Sequence, residues 1–78
     1  MKELIEHIAR SLVNDPTQVE VEAHERGDQV RLSLRVAKED MGRVIGRQGR
    51  VAKAMRMLLR VAAAKNDKRA DLDVVDPE

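Results

Sequence analysis

The chain contains no cysteine and no phenylalanine, tyrosine or tryptophan. Without cysteine it can hold neither a disulfide nor a thiolate-ligated metal, which agrees with a reducing compartment. Without aromatic rings its core must be built from Leu, Ile, Val, Met and Ala, and surfaces that read bases by stacking them on a ring-bearing sheet are excluded. Hydroxyl groups are nearly absent too: Ser11, Thr17 and Ser33 are the only ones. No nucleophile–base arrangement is visible among them, so the chain is not read as an enzyme, and no cofactor is implied. His7 and His24 stand far apart with no local ligand set and are read as polar-face residues rather than metal ligands. No apolar run approaches the ~20 residues that cross a bilayer. The start, MKELIEHIAR, lacks the cationic lead and unbroken apolar stretch of a secretion signal, so the expected location is the cytoplasm.

What is present suits one small soluble domain, residues 1–78, with 42% apolar and 37% charged residues. The net charge of +1 conceals a sharp division. Residues 1–40 carry six basic and nine acidic groups, a balance of −3; residues 67–78 carry two and five, again −3. Between them, residues 41–66 carry seven basic groups (Arg43, Arg47, Arg50, Lys53, Arg56, Arg60, Lys65) and no acid. A merely solvated helix face usually mixes signs; a stretch with no acid at all points instead to an anionic ligand.

Periodicity gives the order α-β-β-α-α-β. Leu4, Ile5, Ile8, Ala9, Leu12 and Val13 recur at helical spacing from Lys2 to Val13, and Asn14-Asp15-Pro16 ends that helix. Val19, Val21 and Ala23 alternate with polar residues as a half-buried strand. Arg26-Gly27-Asp28 turns the chain, and Val30, Leu32, Leu34 and Val36 alternate on the return strand. A short helix is expected over Glu39–Ile45, stopped by Gly46. A long one follows from about Gln48–Gly49 to Ala64, Asn66-Asp67 breaks it, and Ala70, Leu72 and Val74 mark a last strand.

The join between the two later helices reads Val44-Ile45-Gly46-Arg47-Gln48-Gly49-Arg50. A helix N-terminus presents free backbone N–H groups and a positive dipole end, so it attracts anions. Glycines let a phosphate approach the backbone, and Arg47 adds a guanidinium that can fork onto phosphate oxygens. At 100° per residue, Val51, Ala54, Met55, Leu58 and Ala62 fall in one arc, and Arg50, Lys53, Arg56 and Arg60 lie roughly opposite. The long helix is thus expected to bury the first set and expose the second as a cationic stripe. Together these features describe a device for holding phosphate.

GxxG spacing alone is a weak signal. Set between an aliphatic pair, a short helix and a long basic helix, with a hairpin upstream, it resembles the signature loop of the KH domain, a single-stranded nucleic-acid binder. The element order resembles the type II arrangement, and the small size resembles the stand-alone bacterial KH proteins of the KhpA family. The resemblance covers the whole chain. It implies an α+β fold: three strands in a mixed sheet with three helices packed on one face. It further implies that Gly46, Arg47, Gln48 and Gly49 clamp the backbone of single-stranded RNA. Val44 and Ile45 would both pack the helices and help floor the base groove, Gln29–Val36 would line its other wall, and Arg50 and Lys53 would add phosphate contacts. Members of the family are associated with RNA chaperoning, with self-pairing, and with a KhpB/Jag-type KH partner in cell-envelope and division control. A protein-interaction role is therefore the alternative to RNA binding. For pairing, the region of Met41, Val44 and Ile45 or the first helix is the expected surface.

Other features carry less weight. Arg26-Gly27-Asp28 matches a cell-adhesion tripeptide but sits where the hairpin needs a turn. Gly42 and Gly46 form a GxxxG, yet Arg43 lies between them and no membrane span is present. Glu20 and Glu22 share a strand face without any sign of a pocket.

Overall fold

The computed structural model describes residues 1–76; positions 77 and 78 of the expected domain lie outside the described residues. Its elements are α1 (Lys2–Leu12), β1 (Glu20–Arg26), β2 (Gln29–Arg35), α2 (Met41–Ile45), α3 (Arg50–Ala64) and β3 (Arg69–Val74), in the expected α-β-β-α-α-β order. β1 and β2 form an antiparallel hairpin closed by Gly27-Asp28, with Arg26 opposite Gln29. β3 returns through the two helices to pair parallel with β2, so β2 is the central strand of a mixed sheet. The α+β, three-stranded mixed-sheet architecture matches the expectation.

Strand alternation decides which face is covered. Val21 stands opposite Leu34, and Leu32 opposite both Ala23 and Leu72, so their side chains share one face of the pleat. On that face Leu32, Leu34 and Leu72 are fully buried with Ile5 and Ala9 of α1, Val44 of α2, and Met55 and Leu59 of α3. The core is entirely aliphatic, as the missing rings require. Ala23 departs from expectation: it lies on the core side but is exposed, because the outer part of edge strand β1, from Glu22 to Arg26, stands clear of the helices.

Local chemistry sets the ends of the elements. After α1, the Asp15 side chain caps a short 3-10 turn by accepting from the Thr17 N–H. Hydrogen bonds from the Thr17 hydroxyl and the Gln18 side chain hold that carboxyl below its usual range. α3 ends in a Schellman motif. The Lys68 N–H reaches back to the Ala63 carbonyl (2.9 Å) and the Asp67 N–H to that of Ala64 (3.1 Å), with Asp67 left-handed at φ 57°.

Candidate nucleic-acid interface

α2 stops because the chain at Gly46 turns to φ 76°, ψ 173°, a region open essentially to glycine alone. Space imposes the same choice. A Cβ on Gly46 would meet the Val51 side chain and lie 2.9 Å from the Val51 backbone nitrogen. The chain then makes one tight 3-10 turn over Arg47–Gly49, closed by the Gly49 N–H on the Gly46 carbonyl at 3.1 Å. Gln48 (φ 57°) and Gly49 (φ 75°, ψ 15°) are both left-handed. Gly49 has open space where a Cβ would go, with Lys53 Cε the nearest atom at 4.0 Å. The first glycine therefore holds α2 against α3, and the second keeps the backbone bare.

Gly49 is the N-cap of α3 and supplies no side-chain cap, and no acid stands in the helix's first turn. The positive end of a 15-residue helix is thus left open beside the loop. Arg47, Gln48, Arg50 and Lys53 are all exposed, and none of the three cations has a carboxylate partner among the described residues. The two aliphatic residues divide. Val44 is fully buried in the core, while Ile45 presents about a third of its surface (37%) next to the loop. Val44 therefore props the loop from inside, and Ile45 is the apolar side chain available on its surface.

On the covered face of β2, Val30, Leu32 and Leu34 are buried in the core, as is Val36 just after the strand, and β2 is hydrogen-bonded on both sides. One expectation about the surroundings is corrected: the arcs of α3 are rotated from the expected positions. Ala52, Met55, Leu59 and Ala63 face the core, whereas Leu58 (51%), Met57 (68%) and Val61 (53%) face outward. The cationic stripe is broken up as a result. Arg56 is half-buried and donates from Nε to the Leu72 carbonyl (2.9 Å), occupying the edge of β3, and Arg60 lies 3.8 Å from Asp71. Arg50 and Lys53 remain as the free cations beside the loop.

Asp40 was not singled out by its sequence context. It is the one buried charged residue among the described residues, 2% exposed. Its two oxygens accept from the Asn14 and Asp15 N–H groups (3.1 Å each), and Arg43 Nε lies 3.4 Å away. It ties the chain leaving α1 to the start of α2, the helix that delivers the loop. An acid before a helix reads only as a cap, and partners 25 and 26 residues away leave no local signal.

A mixed sheet whose parallel strands β2 and β3 are joined through two helices, with a GxxG turn between those helices, defines a KH domain of the type II arrangement. A family model described as "KhpA/KhpB, KH domain" matches residues 2–74, and the chain belongs to that family. Among curated relatives, the RNA-binding protein KhpA of Halalkalibacterium halodurans is 47% identical over 76 residues, covering 97% of this chain and all of the relative. That of Clostridium acetobutylicum is 47% identical over 75 residues, covering 96% of this chain and all of its own length. That of Borreliella burgdorferi is 43% identical over 74 residues, covering 95% and 90%. The fold is also similar to part of Era, solved in complex with MgGDPNP and a segment of 16S ribosomal RNA. The TM-score is 0.60 at 20% identity, covering 96% of this chain and 30% of Era's. No described helix is long and apolar enough to cross a membrane.

Proposed function

We propose that residues 1–78 form one KH domain acting without catalysis as an RNA-binding protein of the cytoplasm, in the manner of an RNA chaperone or post-transcriptional regulator. Gly46–Gly49 clamps the backbone of a short single strand, Arg47, Arg50 and Lys53 meet its phosphates, and Ile45 touches a base. One observation carries this reading. The uncapped, acid-free N-terminus of α3 opens onto a turn whose second glycine, Gly49, leaves the backbone bare, with three cations around it that have no carboxylate partner among the described residues. The names of the relatives, each an RNA-binding protein, favour RNA over DNA. The test is a titration with single-stranded RNA of about four nucleotides, the span of one such clamp, at several salt concentrations. Two to four phosphate contacts predict a log–log slope of about −1.4 to −2.8, at roughly −0.7 per phosphate. Salt-independent binding contradicts the reading.

A second reading is favoured by α3. Met57, Leu58 and Val61 put three large apolar side chains on one solvent face, more than solitary exposed residues explain. We read this face as the surface for pairing with a second copy or with a KhpB/Jag-type KH partner, the route by which the chain would enter cell-envelope and division control. It differs from the surfaces expected from sequence, around Met41, Val44 and Ile45 or along α1, where Val44 is buried and Ile45 and Leu12 are each 37% exposed.

A further inference from the structure

At the end of the sheet away from the GxxG turn lies a cleft of about 400 Å³ that the clamp reading does not use. Its outward lining is His24, Arg26, Gln29, Arg31, Arg69 and Asp71; Glu25, Val30 and Ala70, which alternate to the other face of the strands, complete it. Strand register places the outward side chains in two rows. Arg26, Gln29 and Arg69 stand abreast on β1, β2 and β3; His24, Arg31 and Asp71 stand abreast one step further along. With strands about 4.8 Å apart, the Cα atoms of Arg26 and Arg69 lie roughly 10 Å from each other across Gln29.

The charges around the cleft are not balanced within it. Of its two carboxylates, Glu25 is answered from outside the lining by Lys68 Nζ at 3.0 Å, while Asp71 shares only a long, exposed contact with Arg60 of α3 at 3.8 Å. Arg31 shares only a long contact, 3.8 Å, with an exposed Asp73, a pair that contributes little in water. Arg26 and Arg69 have no carboxylate partner among the described residues. Two unpaired guanidinium forks thus flank an amide donor in a concavity at the lower end of ligand-site volumes, about 300–1,000 Å³.

We propose that this cleft is a second phosphate-binding site, which takes the backbone of RNA extending beyond the clamp. The proposal rests on the RNA-binding reading above and adds a second contact region to it. β2 runs from the cleft at Gln29 toward the α2–GxxG segment that follows Arg35, and the longest dimension of the molecule is 35 Å. One strand engaged at both ends is held by two weak sites acting together. The ligand is nucleic acid rather than acidic protein: a guanidinium fork suits phosphate and carboxylate alike, but no large apolar side chain lining the cleft is exposed to anchor a peptide, and β2 leads from the cleft toward the proposed RNA clamp.

The test compares Arg26→Gln/Arg69→Gln with the unmodified protein on three probes: RNA of about four nucleotides, RNA of about fifteen nucleotides, several clamp spans long, and a poly-glutamate peptide. Both positions are exposed, so the fold should survive, and a thermal melt checks it. The expected result is unchanged affinity for the short RNA and about tenfold weaker binding of the long one. The salt slope on the long RNA should be shallower by about 1.4, two phosphates at roughly 0.7 each. Equal affinity of both proteins for the long RNA overturns the proposal. So does equal loss on both lengths, or a loss confined to the peptide. Arg47→Asp/Gln48→Asp, run in parallel, separates the two readings. If it leaves the short RNA bound, the clamp is what fails, and the length-dependent loss still carries the cleft.

Discussion

Gly46 and Gly49 look equivalent in the sequence, and the structure gives them different work. Gly46 is confined both by its backbone region and by Val51, so Gly46→Ala should cost about 2 kcal/mol or more. That corresponds to a fall in melting temperature on the order of 10 °C for a domain of this size. Gly49 is left-handed with free space around it. Gly49→Asn, with a side chain that tolerates this conformation, should change stability by less than about 1 kcal/mol while obstructing the approach of a phosphate. Thermal melts of the two variants check the pair; a Gly46→Ala protein as stable as the parent contradicts the packing argument. The GxxG spacing was legible, but which glycine serves the fold was not, because that depends on Val51 leaning back against the turn.

Among the elements, α3 shows best where reading from sequence stops. Its length, its start after the glycine turn and its end near Asn66-Asp67 were all legible, since turn and cap chemistry are local. Its rotation was not. Five of its 15 residues are alanine, and alanine carries almost no burial signal of its own. The helical wheel therefore followed the bulky Leu58, whereas the sheet accepts the close approach of Ala52 and Ala63 beside Met55 and Leu59. The same rotation divides the cations into two kinds. Arg50→Gln or Lys53→Gln should each remove about one phosphate contact, flattening the salt slope by roughly 0.7. Arg60→Gln should leave RNA affinity within about twofold, because Arg60 lies nearly three turns along α3 from the glycine turn. Arg56→Gln should instead cost stability, about 1 kcal/mol, by freeing the Leu72 carbonyl. RNA titrations and melts on the four variants distinguish these outcomes; equal binding loss at Arg50 and Arg60 contradicts the division. The hairpin and the alternation of β2 were fully legible, because a buried central strand leaves an unbroken pattern, Val30, Leu32, Leu34 and Val36.

At the scale of the whole molecule, a 78-residue chain with an aliphatic core leaves Met57, Leu58 and Val61 uncovered. Pairing through α3 would bury them and bring two clamps together. Light scattering at micromolar concentration should therefore show a dimer, and Met57→Lys/Val61→Lys a folded monomer whose melt falls only by what pairing adds to the native state. A parent protein that stays monomeric alone, with RNA and with a KhpB/Jag-type partner contradicts the pairing. The central claim is that the Gly46–Gly49 turn holds the phosphates of RNA while the core holds the fold. Replacing Arg47 and Gln48 by Asp puts two negative charges where phosphate must sit, at two exposed positions the core does not use. The most direct measurement is the affinity of this double variant for single-stranded RNA beside its thermal melt. The prediction is a loss of binding of at least about a hundredfold, some 2.7 kcal/mol, with a melting temperature within a few degrees of the parent. Binding that survives the double substitution, or binding and fold lost together, would contradict it.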